Sequence, residues 1–158
     1  KRTPAMVAEA LECLGGNGYV EDSGLPLMFR ESPLNSIWEG SGNVNALDVL
    51  RALGREPEVL EAWITEVGAA RGGDSRLDRA VDDTLALLGE GAGVEAGARR
   101  LAGRMAACLQ GSLLVRHAPA EVADAFCGSR FGASYGGTFG MLESGSLREV
   151  VDRATPTV

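Results

Sequence analysis

The chain has few aromatic residues and no long hydrophobic run. Aromatic side chains make up 5% of its 158 residues, although 45% of all residues are hydrophobic. A membrane-spanning helix needs roughly 20 consecutive apolar residues, and no segment of this sequence approaches that length. No signal-peptide pattern opens the chain either. We therefore expect no membrane partner and a cytoplasmic location.

Cysteine and histidine are also scarce. The three cysteines, Cys13, Cys108 and Cys127, are widely spaced, lack a Cys-x-x-Cys pair and lie in apolar helical patterns. Such cysteines are typical of buried free thiols rather than metal ligands or nucleophiles. The single histidine, His117, has no second ligand or Cys/Ser partner in register, so we expect it to cap a helix or lie on the surface. The sequence predicts no metal site.

Positive charge is the third shortage. Fifteen Lys and Arg residues face 22 Asp and Glu residues, which gives a formal net charge of −7 and a pI near 4.8. This balance repels phosphate backbones and anionic membranes on average. One basic cluster stands against it and consists of Arg99, Arg100, Arg104 and Arg116. The cluster is interpreted as a solvated or interface face, with a DNA-contacting face as the alternative.

No strand pattern and no internal repeat occurs, and apolar residues recur with helical spacing along the chain. Thr3 is the expected N-cap of the first helix, and residues 17–33 are expected to form an ordered loop. A second glycine-rich loop is expected over residues 128–140, and the glycine-rich run at residues 89–93 is expected to be a flexible connection or a close crossing. The helices are predicted to begin near Thr3, Asn43, Pro57, Asp74, Val94 and Pro119, with a last helical turn or two near Leu147. Gly54 is expected to end the second helix. The sequence thus predicts an all-α, up-down helical bundle that forms a single domain over residues 1–158.

Glycine is abundant, with 22 residues, and six of them lie between residues 10 and 51: Gly15, Gly16, Gly18, Gly24, Gly40 and Gly42. So many glycines between two helical patterns suggest backbone that lies close to another helix or to a ligand. Taken alone, Gly15, Gly16 and Gly18 are also typical of a simple helix C-cap and turn. In the long helix predicted over residues 94–116, Gly97, Gly103 and Gly111 predict a close helix contact, because each interior glycine costs about 1 kcal/mol relative to alanine.

Three motifs in this stretch occur at a characteristic spacing. They are Gly15-Gly16-Asn17-Gly18-Tyr19, Arg30-Glu31 and Trp38-Glu39-Gly40-Ser41, followed by Arg51 twelve residues after Glu39. Together they resemble the C-terminal helical domain of acyl-CoA dehydrogenases. Glu12, Glu31 and Ser41 stand where that family has Gln, Asp and Thr, and these departures are similar to the adaptive-response branch of the AidB type. Residues 116–119 and 123–127 are also similar to that branch.

The resemblance implies the C-terminal third of a larger flavoprotein, with an N-terminal helical domain and a middle β domain absent from this chain. It implies FAD as cofactor, an acyl-CoA thioester as substrate and a homotetramer as assembly. By position in the family motif, Glu39 is the base that removes the substrate α-proton. Its backbone N–H is also expected to donate a hydrogen bond to the thioester oxygen. Gly40, which has no side chain, would let the backbone come close to the substrate.

The resemblance also implies a set of cofactor-binding residues. Ser41 and Asn43 fall where the family places a hydroxyl and an amide against the flavin. Glu12, Gly15 and Gly16 match the loop that contacts the dinucleotide of a neighbouring subunit. The chain alone is therefore expected to be inactive. The alternative is a DNA-damage-response protein of the AidB type, whose domain binds DNA or serves oligomer packing.

Overall fold

The computed structural model describes residues 1–89, 95–132, 139–142 and 147–156. These residues form helices joined by turns, and no strand occurs among them, so the all-α prediction is confirmed. None of the described helices is both long and apolar enough to cross a membrane. The α-helices are α1 (Thr3–Glu12), α2 (Gly16–Tyr19), α3 (Leu25–Glu31), α4 (Gly42–Arg55), α5 (Pro57–Gly68), α6 (Ser75–Gly89), α7 (Ala98–His117), α8 (Ala120–Phe131) and α9 (Arg148–Ala154).

Two compact units divide the structure, residues 1–46 and residues 47–158, and α4 crosses from the first to the second. In the first unit α1, α2 and α3 pack against one another. The second unit is built around α7, which contacts α5, α6 and α8. The assignment of the whole chain to one domain of a larger flavoprotein stays a prediction.

The prediction of a loop over residues 17–33 is wrong, because most of these residues are helical. Gly15, at φ +56°, turns the chain out of α1 and into α2. A 3-10 helix follows at Glu21–Ser23, and Gly24, at φ +72°, precedes α3 with Pro26 in its first turn. A positive φ suits glycine and the first helical turn suits proline. The turn residues therefore mark where short helices end and begin.

Two predicted helix ends are also wrong. Thr3 lies inside α1 rather than at its N-cap, and no side chain caps that helix. Gly54 does not end α4, which continues to Arg55. Glycine weakens a helix interior but does not stop it, whereas Pro57 disfavours a helical conformation at the residue before it. Glu56 accordingly leaves the helical region, and Pro57 begins α5 as predicted.

The core of the second unit lies between α5, α6, α7 and α8. Its buried residues are Val67, Ala70, Leu77, Ala80, Val81, Cys108 and Cys127. Trp63 packs against this cluster and donates a hydrogen bond from Nε1 to the Met105 carbonyl at 3.3 Å. Ser112 Oγ donates to the Glu66 carbonyl at 2.9 Å, which ties α7 to α5. This small-residue core suits the low aromatic content of the chain.

Only one of the three glycines predicted to allow close packing in the long helix does so. A Cβ added to Gly111 would lie 3.0 Å from Leu77 Cδ1 and 3.1 Å from Phe131 Cε2. A Cβ at Gly103 would meet nothing within 4 Å, and Gly97 precedes the helix. The glycine-rich loop predicted over residues 128–140 is partly wrong, since α8 continues to Phe131. Residues 90–93 and 133–138 of the two predicted glycine-rich connections lie outside the described residues.

Asp74 caps α6, as the sequence predicts. Its Oδ1 accepts backbone N–H bonds from Arg76 at 2.8 Å and Leu77 at 3.2 Å, while its Oδ2 accepts a bond of 2.5 Å from the Arg76 guanidinium. Arg76 also donates to Asp124 of α8 at 2.7 Å. The hydrogen bond from the Arg76 side chain, helped by the backbone donors, holds the pKa of Asp74 below its usual range.

We expect Asp74→Ala to lower the free energy of unfolding by about 1–2 kcal/mol at neutral pH, because it removes a helix cap and an ion pair. Since the pKa of Asp74 is depressed in the folded state, its contribution is complete above the unfolded pKa of about 3.9 and is lost as the pH falls through the lower folded value. Urea unfolding of both proteins at neutral pH and below about pH 3 measures this difference.

Asp124→Ala is the matched control, since it removes the second Arg76 partner and leaves the cap intact. It should cost less than Asp74→Ala. A difference between wild type and Asp74→Ala that stayed constant on acidification would contradict the role assigned to the ionised cap.

The prediction of buried thiols holds for two of the three cysteines. Cys108 and Cys127 are fully buried, whereas Cys13 is exposed just after α1. The first unit is small, and no residue of α1 is buried in it, so an apolar pattern there does not imply a covered side chain. Among the described residues, no group of three His, Cys, Asp or Glu side chains could hold a metal ion.

We expect a thiol-alkylating reagent at about pH 8 to modify Cys13 in the folded chain and to spare the other two cysteines. Burial raises the pKa of Cys127 to about 12 and also raises that of Cys108, so little reactive thiolate forms at either position. Mass spectrometry after short labelling checks this result. Cys13→Ser should abolish the labelling, and rapid modification of Cys127 in folded protein would contradict the packing of α8.

Candidate functional site: the turn before α4

Glu39 lies in the turn between a 3-10 helix at Leu34–Ser36 and α4. Its side chain is exposed. Among the described residues, Glu39 is the one residue other than glycine that has a positive φ, and its value is +55°. A left-handed conformation costs a residue with a Cβ roughly 1–2 kcal/mol. Gly40 follows with φ +117°. We call Glu39 and Gly40 the Glu39 turn.

Asn45, near the start of α4, makes a side-chain hydrogen bond to the Glu39 turn. Its Nδ2 donates to the Gly40 carbonyl at 3.1 Å, and its backbone N–H donates to the Ser41 carbonyl at 3.0 Å. A Cβ added at position 40 would lie only 2.5 Å from Asn45 Oδ1. The amide therefore fills the space that glycine leaves. Sequence analysis missed Asn45, although an amide five residues after a glycine at a helix start is a pattern that could have indicated it.

The turn leaves several polar groups available to a ligand. The backbone N–H of Glu39 makes no hydrogen bond with the described residues. Ser41 immediately precedes α4 and Asn43 lies in its first turn; both are exposed, and their side chains have no hydrogen-bond partner among the described residues. A helix N-terminus also favours negative charge. Glu39, Ser41 and Asn43 therefore lie in one short stretch at the start of α4.

The other predicted group lies where α1 passes into α2. Glu12 is the last residue of α1, Gly15 turns the chain at φ +56°, and Gly16 begins α2. All three residues are exposed, and a Cβ at either glycine would meet nothing within 4 Å. The backbone here is accessible, while the Glu12 carboxylate adds negative charge. No described hydrogen bond links this loop to the Glu39 turn.

Gly18 has a different role from its neighbours. It is buried, and a Cβ there would lie 2.3 Å from the Leu11 carbonyl oxygen. The glycine therefore allows α2 to lie directly against the backbone of α1. In the glycine motif, Gly15 and Gly16 leave the backbone open to a ligand, whereas Gly18 allows close packing against another helix. The two explanations offered for the glycines therefore apply to different residues.

Apolar side chains surround the Glu39 turn in sequence and are largely exposed. Trp38 is 56% exposed and donates from Nε1 to Asn35 Oδ1 at 3.2 Å. Its neighbour Ile37 is 64% exposed, and Val44 of α4 is 58% exposed. An exposed apolar group of this kind is typical of a binding surface.

Arg30 and Arg51 of the family motif both make ion pairs with carboxylates. Arg30 makes a two-pronged contact with Glu21 at 2.8 and 3.2 Å, and Arg51 pairs with Asp48 one turn away on α4. The Glu21 side chain raises the pKa of Arg30, mainly through this hydrogen bond. Both pairs are exposed, so each adds little stability.

Half of the predicted basic cluster is paired with carboxylates. Arg104 contacts Asp83 at 3.2 Å, and Arg116 contacts Glu66. Because carboxylates neutralise these two arginines, the cluster as a whole offers less positive charge to a phosphate backbone. DNA binding by this face stays a prediction. His117 is exposed at the end of α7, which agrees with the expected surface role.

Comparison with known proteins identifies the segment that carries both groups. Residues 4–54 match the family model described as acyl-CoA dehydrogenase, C-terminal domain. This segment belongs to the acyl-CoA dehydrogenase family. All six predicted site residues of the family segment lie within the matched residues: Glu12, Gly15, Gly16, Glu39, Ser41 and Asn43.

Two curated relatives are similar to longer parts of this chain. The chain is 51% identical over 81 residues to the Escherichia coli (strain K12) protein named "Putative acyl-CoA dehydrogenase AidB", a match that covers 51% of this chain and 15% of the relative. It is 35% identical to "Acyl-CoA dehydrogenase family member 11" of Caenorhabditis elegans, over 75% of this chain and 22% of that relative. The chain thus spans less than a quarter of the length of either acyl-CoA dehydrogenase relative.

Proposed function

We propose that this chain supplies part of the active site of an FAD-dependent acyl-CoA dehydrogenase, with Glu39 as the base that removes the α-proton of the thioester. The observation that carries the proposal is the placement of Glu39. It is exposed in a left-handed turn, its backbone N–H has no partner in the part of the chain that the structure describes, and it lies inside the segment that matches the family. Backbone strain of this kind is typical of functional positions.

The turn offers two complementary groups to a thioester. The Glu39 carboxylate would accept the α-proton, so that the C–H electron pair moves into the enolate. The unpaired N–H of Glu39 would donate to the thioester oxygen, where the negative charge develops. The carboxylate and the N–H of this one residue can serve the same substrate because neither has a hydrogen-bond partner among the described residues.

The residues around the turn also fit a flavin dinucleotide. Ser41 and Asn43 would contact the ring through a free hydroxyl and a free amide at the start of α4. Gly15 and Gly16 would let a dinucleotide approach their open backbone. Bound FAD would supply the acceptor for the β-hydrogen as hydride. The Glu12 carboxylate would have to point away from the pyrophosphate, since like charges repel.

Both groups leave open surface rather than an enclosed cavity, which agrees with a site shared with other parts of a longer protein. The first unit exposes apolar side chains that a further domain or a neighbouring subunit would cover; among them are Val20, Leu27, Met28, Leu34, Ile37 and Trp38. We therefore propose that the complete protein is a homo-oligomer, a tetramer by family resemblance, and that this chain alone is inactive.

The visible spectrum of the complete protein tests the proposal. We expect it to purify with bound flavin, or to bind added FAD, and we expect one or more members of a panel of acyl-CoA thioesters to bleach the flavin absorbance without oxygen. Free fatty acids are the control, because they lack the acidified α-position of a thioester. A complete protein that neither contains nor binds FAD would remove the enzyme proposal.

A further inference from the structure

The amide of Asn45, near the start of α4, is hydrogen-bonded to the Glu39 turn, and Val44 Cγ1 also lies beside Gly40. The amide donates from Nδ2 to the Gly40 carbonyl at 3.1 Å, while its Oδ1 occupies the space beside the Gly40 Cα. Its backbone N–H closes the first α4 hydrogen bond to the Ser41 carbonyl at 3.0 Å. The side chain of Asn45 therefore links the Glu39 turn to α4 by a hydrogen bond.

The turn needs such a connection because Glu39 has a conformation that residues with a Cβ rarely adopt. Glu39 has φ +55° and Gly40 has φ +117°, and positive φ values at a residue with a Cβ persist only where the surroundings enforce them. The other backbone bonds around the turn stop at Trp38, whose N–H donates to the Leu34 carbonyl at 3.2 Å. On the helix side, Asn45 makes the described side-chain hydrogen bond to the turn, while Val44 Cγ1 would lie 3.7 Å from a Cβ at position 40 and contributes only apolar contact.

We infer that Asn45 is a positioning residue: its hydrogen bond to Gly40 and the fit of its amide against the Gly40 Cα hold Glu39 in the left-handed turn that aims the carboxylate at the substrate α-proton. The inference rests on the proposed function of Glu39. It adds a residue that does not touch the substrate but sets the geometry of one that does. A misplacement of about 1 Å at a reacting group costs roughly 100-fold in rate.

Asn45→Ala removes the donor and the filling amide without weakening α4, because alanine is the better helix former. We expect this variant to slow α-proton abstraction by roughly 10- to 100-fold in the complete protein. The KM for acyl-CoA and the flavin content should stay unchanged, because the groups that would bind ligand remain. A purely structural role would instead lower flavin content and thermal stability.

The conformation of the turn is measured separately by NMR on this chain. A residue with positive φ has a short intraresidue distance between its amide and α hydrogens, so Glu39 should show a strong cross-peak between them in the wild type and a weaker one in Asn45→Ala. Asn45→Asp keeps the size of the side chain but cannot donate, and we expect it to behave like the alanine variant. Asp48→Asn, exposed one turn along α4, is the matched control and should change neither readout.

Each outcome decides the inference. A weakened cross-peak together with slower proton abstraction supports it. An unchanged cross-peak in Asn45→Ala overturns it, and so does an altered turn with an unchanged rate while Glu39→Gln is slow. If Glu39→Gln itself abstracts the proton at the wild-type rate, the proposed function has failed. That failure is recognised from the Glu39 variant alone, and it also overturns the positioning role.

Discussion

Replacing Glu39 by glutamine should slow the reduction of bound flavin by an acyl-CoA thioester by about 10²- to 10⁴-fold in the complete protein, the usual contribution of a positioned general base. Glutamine keeps the length and shape of the side chain but cannot accept the α-proton. The backbone N–H of residue 39 remains, so the thioester oxygen keeps its donor. Thioester affinity should therefore change little.

Stopped-flow absorbance under anaerobic conditions measures the rate of bleaching. Glu58→Gln, an equally exposed carboxylate on α5, is the matched control and should react at the wild-type rate. If Glu39→Gln and wild-type protein bleached at the same rate, the base would lie on another residue. If the variant lost flavin altogether, a direct assay of FAD binding would separate this loss from the loss of the base.

The second large effect is expected at Gly18, where alanine should destabilise the first unit by about 3 kcal/mol. The new Cβ would lie 2.3 Å from the Leu11 carbonyl oxygen, which belongs to the backbone of α1 and cannot rotate away. The helix α2 would have to move off α1. This displacement would also shift the adjoining Gly15 and Gly16, so the complete Gly18→Ala protein should bind FAD more weakly.

Gly16→Ala is the matched control two residues away. Its Cβ would meet nothing within 4 Å, and the position is helical, so alanine should change the stability by no more than about 1 kcal/mol. Urea unfolding followed at the Trp38 indole resonance reports on the first unit. Equal stability of the two alanine variants would contradict the close packing of α2 against α1.

The all-α class was predictable because apolar spacing and helix-starting residues agree along the second unit. Asp74 caps α6 and Pro57 begins α5, as their side chains require. The errors occurred where packing overrides local preference. Residues 17–33 carry turn residues at short intervals, and only the contacts among α1, α2 and α3 decide that helical turns form between them. Likewise Cys13 lies in an apolar pattern, but no part of the first unit packs over it and it is exposed.

The candidate site was predictable as a set of sequence positions but not as a conformation. The motif around Glu39 gives the residue and its neighbours, and the family match covers them. The left-handed φ of Glu39 depends on how the chain enters α4, which no residue pattern encodes by itself. The spacing of Gly40 and Asn45 is visible in the sequence, but the hydrogen bond between them is seen only in the fold. The roles of all six site residues stay predictions.

The claim at the centre of this account is that Glu39 removes the α-proton of a thioester. An arylacetyl-CoA has α-protons but no β-hydrogen, so abstraction in D₂O can only be followed by deuterium return to the α-carbon. Mass spectrometry of this thioester after incubation with the complete protein measures abstraction without oxidation. We predict rapid deuterium incorporation with the wild type and a rate lower by about 10²- to 10⁴-fold with Glu39→Gln; equal incorporation by the two proteins would contradict the account.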